Sequence, residues 1–256
     1  DDIRNIFESG ILTSGKYVAE FEQLVADWVG VDHGIATSSA TTALHLALTV
    51  AGVGPGDEVL LSDFTYPATA NVVVQTGAIP VFVDSGTADL SMDPEHARAL
   101  VSEKTRAIMP VDPLGQPADH LSLERLAKEV GVHVVVDAAC ALGASRASQR
   151  CGSHGDMGCF SFHPRKVVTC GEGGMVTTGD PVLANQLRLL RNHGARKTST
   201  RAFEFVETGF NYRLSEIPAA MGISQMRRID EIVSDRRMTA ARYDSEVSSL
   251  PGVQIL

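Results

Sequence analysis

The sequence predicts an α/β protein with three layers around a mostly parallel central sheet. Strand-like and helix-like segments alternate along the chain, as they do in repeated strand–helix–strand units. Residues 132–136 are a nearly continuous β-branched run, which is typical of a strand covered on both faces. An acid, Asp137, follows this run at the strand end where open α/β sheets build their ligand sites.

The helices are predicted from apolar side chains at helical spacing and from residues that favour helix starts. Residues 16–29 carry an amphipathic pattern, Ser38 and Ser39 offer capping hydroxyls, and Pro67 suits a first turn. The predicted helices span residues 16–29, 41–50, 67–76, 94–101, 121–130, 182–192, 215–229 and 230–250.

The strands are predicted from short apolar or β-branched runs that end at turn-forming residues. Residues 194–210 are expected to be irregular, and residues 251–256 are expected to form a turn that enters a further strand. The predicted strands span residues 34–37, 58–62, 80–84, 106–111, 132–136 and 174–178.

Composition excludes several classes of protein. The chain of 256 residues is long enough for a large core, and its formal net charge of −9 argues against general nucleic-acid binding. No run approaches the roughly twenty apolar residues of a membrane span, and the N-terminus lacks a signal-peptide pattern. We therefore expect a cytoplasmic protein with neither nucleic-acid nor membrane partners.

Four cysteines lie between residues 140 and 170. Cys151 and His154, followed by Cys159, suggest a metal site, but the paired Cys-x-x-Cys spacing of zinc sites is missing. Cys159 lies in an apolar run and is predicted to be a small core residue. The set fits reduced thiols, and the sequence predicts no bound metal.

Lys166 is the first candidate catalytic residue. It follows an apolar run at 159–162 and a turn with Pro164, and it precedes a glycine-rich turn at 171–174. Aromatic and small neighbours would partly desolvate the amine, lower its pKa and favour the neutral form that attacks a carbonyl. An ordinary surface lysine beside a glycine turn is the alternative.

Three other segments are candidates for ligand contacts. The turn at 37–42 leads into a helix whose free amides would hold a phosphate, or it is only a helix cap. Phe64 and Tyr66 would offer an aromatic face to a flat ring, or they lie in the core. Asp137 would face a ligand or cap the residues after it. Together with Lys166, these elements meet the requirements of pyridoxal 5′-phosphate (PLP).

The order and spacing of nine motifs carry a more specific signal. They are SGKYV at 14–18, ALHLAL at 43–48, GPGDE at 54–58, YPATAN at 66–71, GQPAD at 115–119, DAA at 137–139, SFHPRK at 161–166, GEGG at 171–174 and GFNYRLSE at 209–216. Over nearly its whole length the chain thereby resembles the DegT/DnrJ/EryC1/StrS family of sugar aminotransferases.

The resemblance implies a PLP-dependent transferase of fold type I, similar to aspartate aminotransferase. We expect residues 1–235 to form the large PLP-binding domain, with an N-terminal helical segment at 1–30. Residues 236–256 would be a linker helix and the start of a C-terminal small domain that is otherwise missing from this chain.

The resemblance also implies roles in catalysis. Lys166 would form the aldimine that holds the cofactor and would shuttle the proton between substrate and cofactor. Asp137 would pair with the pyridine nitrogen, and Tyr66 would stack on the ring. Cys140 stands where family members carry glutamine or histidine against the ring hydroxyl, and a thiol is a weaker hydrogen-bond partner.

Further implied contacts concern the phosphate and the substrate. Ala40, Thr41 and Ser161 would hold the phosphate, and Asn211 would reach the cofactor phosphate of a neighbouring subunit in a homodimer. The last two candidates, His163 and Arg213, would lie near the substrate or phosphate. Alternatively, Arg213 forms a structural ion pair with Glu216, one helical turn further along the chain.

The implied function is a PLP-dependent aminotransferase that moves an amino group from glutamate to a nucleotide-linked keto-sugar. A related branch that dehydrates sugars has histidine in place of the lysine, so Lys166 argues against that activity. Two alternatives stay open, namely a non-catalytic PLP-binding or regulatory protein and another PLP enzyme of fold type I.

Overall fold

The computed structural model describes residues 2–87, 89–197, 203–253 and 255. Nine α-helices lie in these residues: α1 (Asp2–Ser9), α2 (Lys16–Val29), α3 (Ala40–Val50), α4 (Pro67–Gln75), α5 (Pro94–Leu100), α6 (His120–Val130), α7 (Pro181–Arg191), α8 (Glu216–Met226) and α9 (Ile229–Val247).

The strands of the described residues form one large sheet and two small hairpins. They are β1 (His33–Thr37), β2 (Glu58–Ser62), β3 (Ile79–Val83), β4 (Thr105–Met109), β5 (His133–Asp137), β6 (Ser145–Arg146), β7 (Gln149–Arg150), β8 (Met157–Ser161), β9 (Gly174–Thr178), β10 (Ala195–Lys197) and β11 (Phe203–Phe205).

The large sheet is mostly parallel, as the sequence predicts. Its seven strands run in the order β1-β9-β8-β5-β4-β2-β3. The pairs from β8 through β5, β4 and β2 to β3 are parallel, whereas β9 is antiparallel to both of its neighbours. The carboxyl ends of β2, β4, β5 and β8 consequently meet at one edge, where α/β sheets bind ligands.

Two hydrophobic cores cover the two faces of this sheet. Val134 and Val136 point into one core with α2, α5, α6 and α8, while Val135 points into the other with α3, α4 and α7. Successive strand residues face opposite sides of a sheet, so the alternation shows that β5 is buried on both faces. The predicted three-layer arrangement is confirmed.

Most predicted elements appear within two residues of their expected bounds, but the segment at 194–210 was wrongly predicted to be irregular. There β10 pairs with β11 in a short antiparallel hairpin. Each strand has only three residues, fewer than the roughly four to eight over which an alternating pattern can be recognised, so local patterning gives no clear strand signal. The two C-terminal helices end earlier than expected, at Met226 and Val247.

The predicted terminal segments are only partly covered. The N-terminal helical segment at 1–30 consists of two helices, α1 and α2, separated by a non-helical stretch at 10–15, and residue 1 lies outside the described residues. Residues 251–252 form a turn, whereas residues 254 and 256, where a further strand was expected, lie outside the described residues.

A buried carboxylate at the start of α8 holds the N-terminal helix α2 in place. Glu216 is only 2% exposed and accepts hydrogen bonds from the backbone N–H groups of Gly15, Tyr17 and Val18 at 2.8, 3.0 and 3.1 Å. These groups belong to the start of α2, whose own N-cap residue provides no side-chain bond. The negative charge also interacts favourably with the helix dipole, so α8 and α2 are held together.

We expect Glu216→Ala to lower the free energy of unfolding by about 3 kcal/mol or more, because three buried backbone donors lose a charged acceptor. Urea unfolding followed by circular dichroism measures the change. Glu231→Ala is the control, since Glu231 makes an exposed pair with Arg228 on the helix surface and should leave the unfolding midpoint unchanged. Equal stability of the two variants would contradict the proposed cap.

Candidate active site

A cavity of about 540 Å³ opens at the carboxyl ends of the parallel strands. This volume is in the usual range for small-molecule and cofactor sites. Eight of the ten site residues expected from the sequence line it. They are Ala40, Thr41, Tyr66, Asp137, Cys140, Ser161, His163 and Lys166.

Asp137 is the last residue of β5 and is buried at the base of the cavity. Its Oδ2 accepts a hydrogen bond from the hydroxyl of Thr69 at 2.8 Å, and its Oδ1 accepts one from the N–H of Ala139 at 3.1 Å. Burial raises the pKa of Asp137, and these hydrogen bonds and the charge of Lys166 offset only part of that effect. A cation bound beside the carboxylate would favour its ionised form.

The bond to Ala139 means that Asp137 also caps the residues that follow it, as the simpler alternative proposed. Capping uses one oxygen, and the side chain still lines the cavity. Thr69, which holds the other oxygen, was not identified from the sequence. It belongs to the YPATAN motif and lies three residues after Tyr66, one helical turn along α4, which would have been the available signal.

Lys166 approaches the cavity from the loop after β8. The side chain is half-buried, in agreement with the partial desolvation expected from its neighbours, and its Nζ lies 2.9 Å from the Sγ of Cys140. The backbone N–H of Lys166 donates to the carbonyl of His163 at 2.9 Å, so a tight turn presents the amine. Cys140 lies three residues after Asp137, the last residue of β5. Because the amine of Lys166 contacts Cys140, the amine and the acid line the same cavity.

The turn before α3 is a helix cap and also leaves free donors. Ser39 and Thr42 form a reciprocal capping box. In the described part of the chain, the backbone N–H groups of Ala40 and Thr41 donate no hydrogen bond. Two free amides at a helix N-terminus are suited to an anion such as a phosphate, so the two interpretations of this turn are compatible.

Gly174 explains how the glycine-rich turn and this anion-binding turn come together. A Cβ atom at Gly174 would lie 2.2 Å from the backbone oxygen of Ser39, closer than any side chain permits. β9 can therefore pass directly behind the start of α3 only because residue 174 is glycine. Ser161 pairs with Gly174 across β8 and β9 and lies beside the same turn.

Aromatic side chains form part of the cavity wall. Tyr66 is 72% exposed and Phe64 is also exposed, and both line the cavity, so the alternative that they are core residues is wrong. Leu114 lines the cavity as well, with a positive φ of 54° that aliphatic residues rarely adopt. Sequence patterns do not identify Leu114, because its position depends on the loop after β4.

Two expected site residues lie outside the cavity. Asn211 is exposed, and its backbone bridges to Asn192. Arg213 donates to the Oδ1 of Asn192 at 2.6 Å. The alternative ion pair between Arg213 and Glu216 is wrong, since the Glu216 carboxylate is used by the start of α2.

The residues present fit PLP in each chemical respect. Free amides suit its phosphate, the buried acid suits its ring nitrogen, and an amine suits its aldehyde. Exposed aromatic rings beside the cavity suit a flat heterocycle. All of these groups line one cavity.

Fold and cavity define a PLP-dependent protein of fold type I. The chain belongs to the DegT/DnrJ/EryC1/StrS aminotransferase family, whose model matches residues 1–256. The resemblance that the motifs carry is thereby confirmed.

Curated relatives and solved structures are similar over almost the entire chain. GDP-perosamine synthase from Caulobacter vibrioides is 42% identical and aligns with 94% of this chain and 64% of its own length. The spore coat polysaccharide biosynthesis protein SpsC from Bacillus subtilis is 36% identical over 98% of this chain and 67% of its own.

The structure of DesV from S. venezuelae, in complex with a ketimine intermediate, is 38% identical with a TM-score of 0.93. The alignment covers 98% of this chain and 67% of the DesV chain. This chain therefore spans about two thirds of the relatives it matches. Within the described residues, no helix has the length and apolar character required to cross a membrane.

Asp137→Asn is expected to stabilise the cofactor-free protein at neutral pH and to weaken its chemistry. The asparagine oxygen can accept from the N–H of Ala139, and its amide nitrogen can donate to the hydroxyl of Thr69, without a buried charge. Because the folded-state pKa of Asp137 is raised, the folded protein binds more protons than the unfolded chain above the ordinary pKa of aspartate. Wild-type stability then falls as the pH rises through that window, by about 1.4 kcal/mol for each pH unit.

The advantage of the Asp137→Asn variant should consequently grow as the pH rises above the ordinary pKa of aspartate, and it should stop growing above the raised pKa of folded Asp137. Chemical unfolding at several pH values measures it. If Asp137 pairs with the ring nitrogen of PLP, reaction of the PLP-loaded variant with an amino donor should slow by on the order of 100-fold, because that nitrogen would lose its counter-ion. Asp244→Asn on the exposed face of α9 is the control for both measurements. A stability difference that does not vary with pH would be inconsistent with a raised pKa.

Proposed function

We propose that this protein is a PLP-dependent aminotransferase that transfers an amino group from glutamate to a nucleotide-linked keto-sugar. One observation carries the proposal. The amine of Lys166 and the buried carboxylate of Asp137 line the same cavity as the free amides at the start of α3.

PLP, when bound, supplies an electron sink and carries the amino group between donor and acceptor. Lys166 would anchor the cofactor until the amine of the donor displaces it. The freed Nζ would then move a proton from the α-carbon of glutamate to the cofactor and, in the second half-reaction, from the cofactor to the sugar carbon. Asp137 would keep the proton on the ring nitrogen, and the resulting positive charge would stabilise the buried carboxylate. One lysine thus acts as anchor and as general acid and base.

The other cavity residues would bind and orient the cofactor. The backbone amides of Ala40 and Thr41, with the hydroxyl of Ser161, would hold the phosphate near the positive end of α3. Tyr66 would cover one ring face. Cys140 would contact Lys166 or the ring hydroxyl through a weak sulfur hydrogen bond, and His163, which also lines the cavity, would lie near the substrate or the phosphate.

Names of the relatives support the substrate class. GDP-perosamine synthases from Caulobacter vibrioides and Vibrio cholerae are 42% and 36% identical, and their names place a GDP-linked compound among their products. Because the protein has a formal net charge of −9, local positive groups must hold an anionic nucleotide. Arg165, an exposed residue that lines the cavity, is such a group.

We also propose a homodimer in which Asn211 completes the cofactor site of the partner. Asn211 lies outside the cavity of its own chain and is exposed, so its side chain is accessible to a second subunit. Arg213 belongs to the same segment and would lie close to that subunit boundary. The cytoplasmic location stays a prediction.

The proposed domain boundary lies within α9. Its first turns pack against the body of the protein, since Ile229 is buried and Ile232 and Val233 are half-buried, whereas residues 234–246 are exposed. Just beyond the boundary, Arg236 and Arg237 add only hydrogen bonds to backbone carbonyls of the body. This arrangement supports residues 1–235 as the PLP-binding domain and residues 236–256 as a linker towards a smaller domain.

Lys166→Ala should abolish turnover, with a loss of at least about 10³-fold, because both the anchor and the proton carrier disappear. The assay follows the absorption of PLP-loaded protein after glutamate is added, when the yellow form should convert to the pyridoxamine form. Lys128→Ala, on the exposed side of α6, is the matched control and should react like the wild type.

The same spectra separate the alternatives. A yellow wild-type protein that does not respond to glutamate or other amino donors would support a PLP-binding or regulatory protein. A colourless protein, with Lys166→Ala indistinguishable from the wild type, would exclude PLP chemistry. Conversion by glutamate followed by return on addition of a nucleotide-linked keto-sugar would establish the proposed reaction.

Mixed dimers test the role of Asn211. Lys166→Ala and Asn211→Ala should each be nearly inactive alone. If Asn211 acts across the interface, co-expression of the two variants should restore roughly a quarter of the wild-type rate, since half of the dimers gain one intact site. If it acts in its own chain, or if there is no shared site, mixing would restore nothing.

A further inference from the structure

A second group of reactive side chains is buried beside the cavity, on the far side of Asp112. The side chains of Asp112, His120 and Cys151 place one oxygen, one nitrogen and one sulfur within 4.8 Å of one another. All three residues are buried, with exposures of 0%, 2% and 2%. They come from the loop after β4, the first residue of α6 and the segment between β7 and β8, so the tertiary fold alone brings them together.

Hydrogen bonds within the protein do not satisfy all the polar atoms of this cluster. The Oδ1 of Asp112 accepts from the N–H of Ala118 at 3.0 Å, but its Oδ2 has no partner among the described residues. The Nε2 of His120 lies 2.9 Å from the Oδ1 of Asp112, yet neither ring nitrogen has hydrogen-bond geometry to any described acceptor. Buried polar atoms without partners are rare in folded proteins and call for a specific explanation.

The chemistry of the donors indicates a cation. A carboxylate, an imidazole and a thiolate form a mixed set of the kind that binds Zn²⁺, whereas Mg²⁺ and Ca²⁺ favour oxygen ligands alone. A divalent ion would also balance the charges. Two anionic ligands, Asp112 and the thiolate of Cys151, neutralise a dication, while His120 binds as the neutral imidazole. A buried site with no net charge avoids an uncompensated ion in the core.

We propose that Asp112, His120 and Cys151 form a buried structural site for Zn²⁺. On binding, the thiol of Cys151 loses its proton to solvent, the metal–sulfur bond forms, and no electrons are transferred. Burial and the neighbouring carboxylate of Asp112 raise the pKa of the free thiol, so Cys151 stays protonated and unreactive when no cation is present.

His154 supports the ligand His120. The two rings are stacked with centroids 4.5 Å apart, and the Nδ1 of His154 lies 3.4 Å from the carboxylate of Glu124. Packing of this kind fixes the ring orientation of a ligand histidine. The Nε2 of His154 has no partner among the described residues, so this ring or a water molecule could supply a fourth ligand.

The proposed metal would brace the edge of the sheet that forms the active site. The backbone N–H of Asp112 donates to the carbonyl of Asp137 at 3.0 Å, and the N–H of Asp137 donates to Pro110 at 2.9 Å. A metal held by Asp112 would join this edge to α6 and to the approach to β8. The role is structural and does not depend on the proposed reaction at the cofactor.

A buried ion pair between His120 and Asp112, with Cys151 as a neighbouring donor, is the alternative. It explains the 2.9 Å contact and lets the thiol donate to the carboxylate of Asp112, but it leaves the Nδ1 of His120 without a partner among the described residues. Charge compensation alone would not require a thiol. The two explanations differ in one measurable respect, because only the first requires a bound metal.

The test is a count of zinc in the purified protein, expressed with added zinc and dialysed against a chelator that removes loosely bound metal. We expect about one zinc per chain in the wild type, measured by inductively coupled plasma mass spectrometry, and a loss of at least about tenfold in Cys151→Ala. Cys159→Ala is the matched control, since Cys159 is an equally buried free cysteine outside the cluster. It should keep its zinc.

Cobalt provides a second measurement. Co²⁺ added to metal-free wild-type protein should produce a thiolate-to-cobalt charge-transfer band that is present in Cys159→Ala and absent from Cys151→Ala. If a single variant does not fold, the double variant Asp112→Asn/Cys151→Val removes the buried charge and the thiol, keeps an acceptor for the N–H of Ala118, and should fold without metal. A folded wild type with neither zinc nor the cobalt band would overturn the proposal, as would zinc retained in Cys151→Ala or in the double variant.

Discussion

The carboxylate of Asp137, buried at the end of β5, is the constraint on which the site depends. Its two hydrogen bonds, from Thr69 and Ala139, do not compensate for the loss of water, and its pKa is therefore raised. In the proposed cofactor complex, a positive ring nitrogen would supply the missing charge. The protein would then accept a local loss of stability at a position where the bound ligand restores it, as functional sites often do.

The parallel sheet places the other groups around that carboxylate. β5 and β8 are adjacent and parallel, so the segments after their ends, with Cys140 and Lys166, emerge side by side. The reversed strand β9 then brings Gly174 against the turn that begins α3. Because each step depends on strand order, the amine, the acid and the anion-binding amides occupy one cavity although they are far apart in the sequence.

Sequence patterns predicted most of the fold and most of the cavity, because both leave local signals. The β-branched run before Asp137 identifies a doubly covered strand, and the turn beside Lys166 identifies a presented amine. Long-range contacts leave no such signal. The cap that Glu216 provides for α2, the hairpin of β10 and β11, and the cluster around Asp112 and Cys151 appear only when distant segments meet. Family motifs suggested the role of Asn211, which a single chain does not test.

The most direct measurement is the site of covalent attachment of PLP. Purified protein loaded with PLP is reduced with borohydride, digested and analysed by mass spectrometry. We expect a phosphopyridoxyl group on the peptide that contains Lys166, because this is the one lysine that lines the cavity in the described part of the chain. Labelling of a different lysine, or the absence of any specific label, would contradict a PLP enzyme built on Lys166.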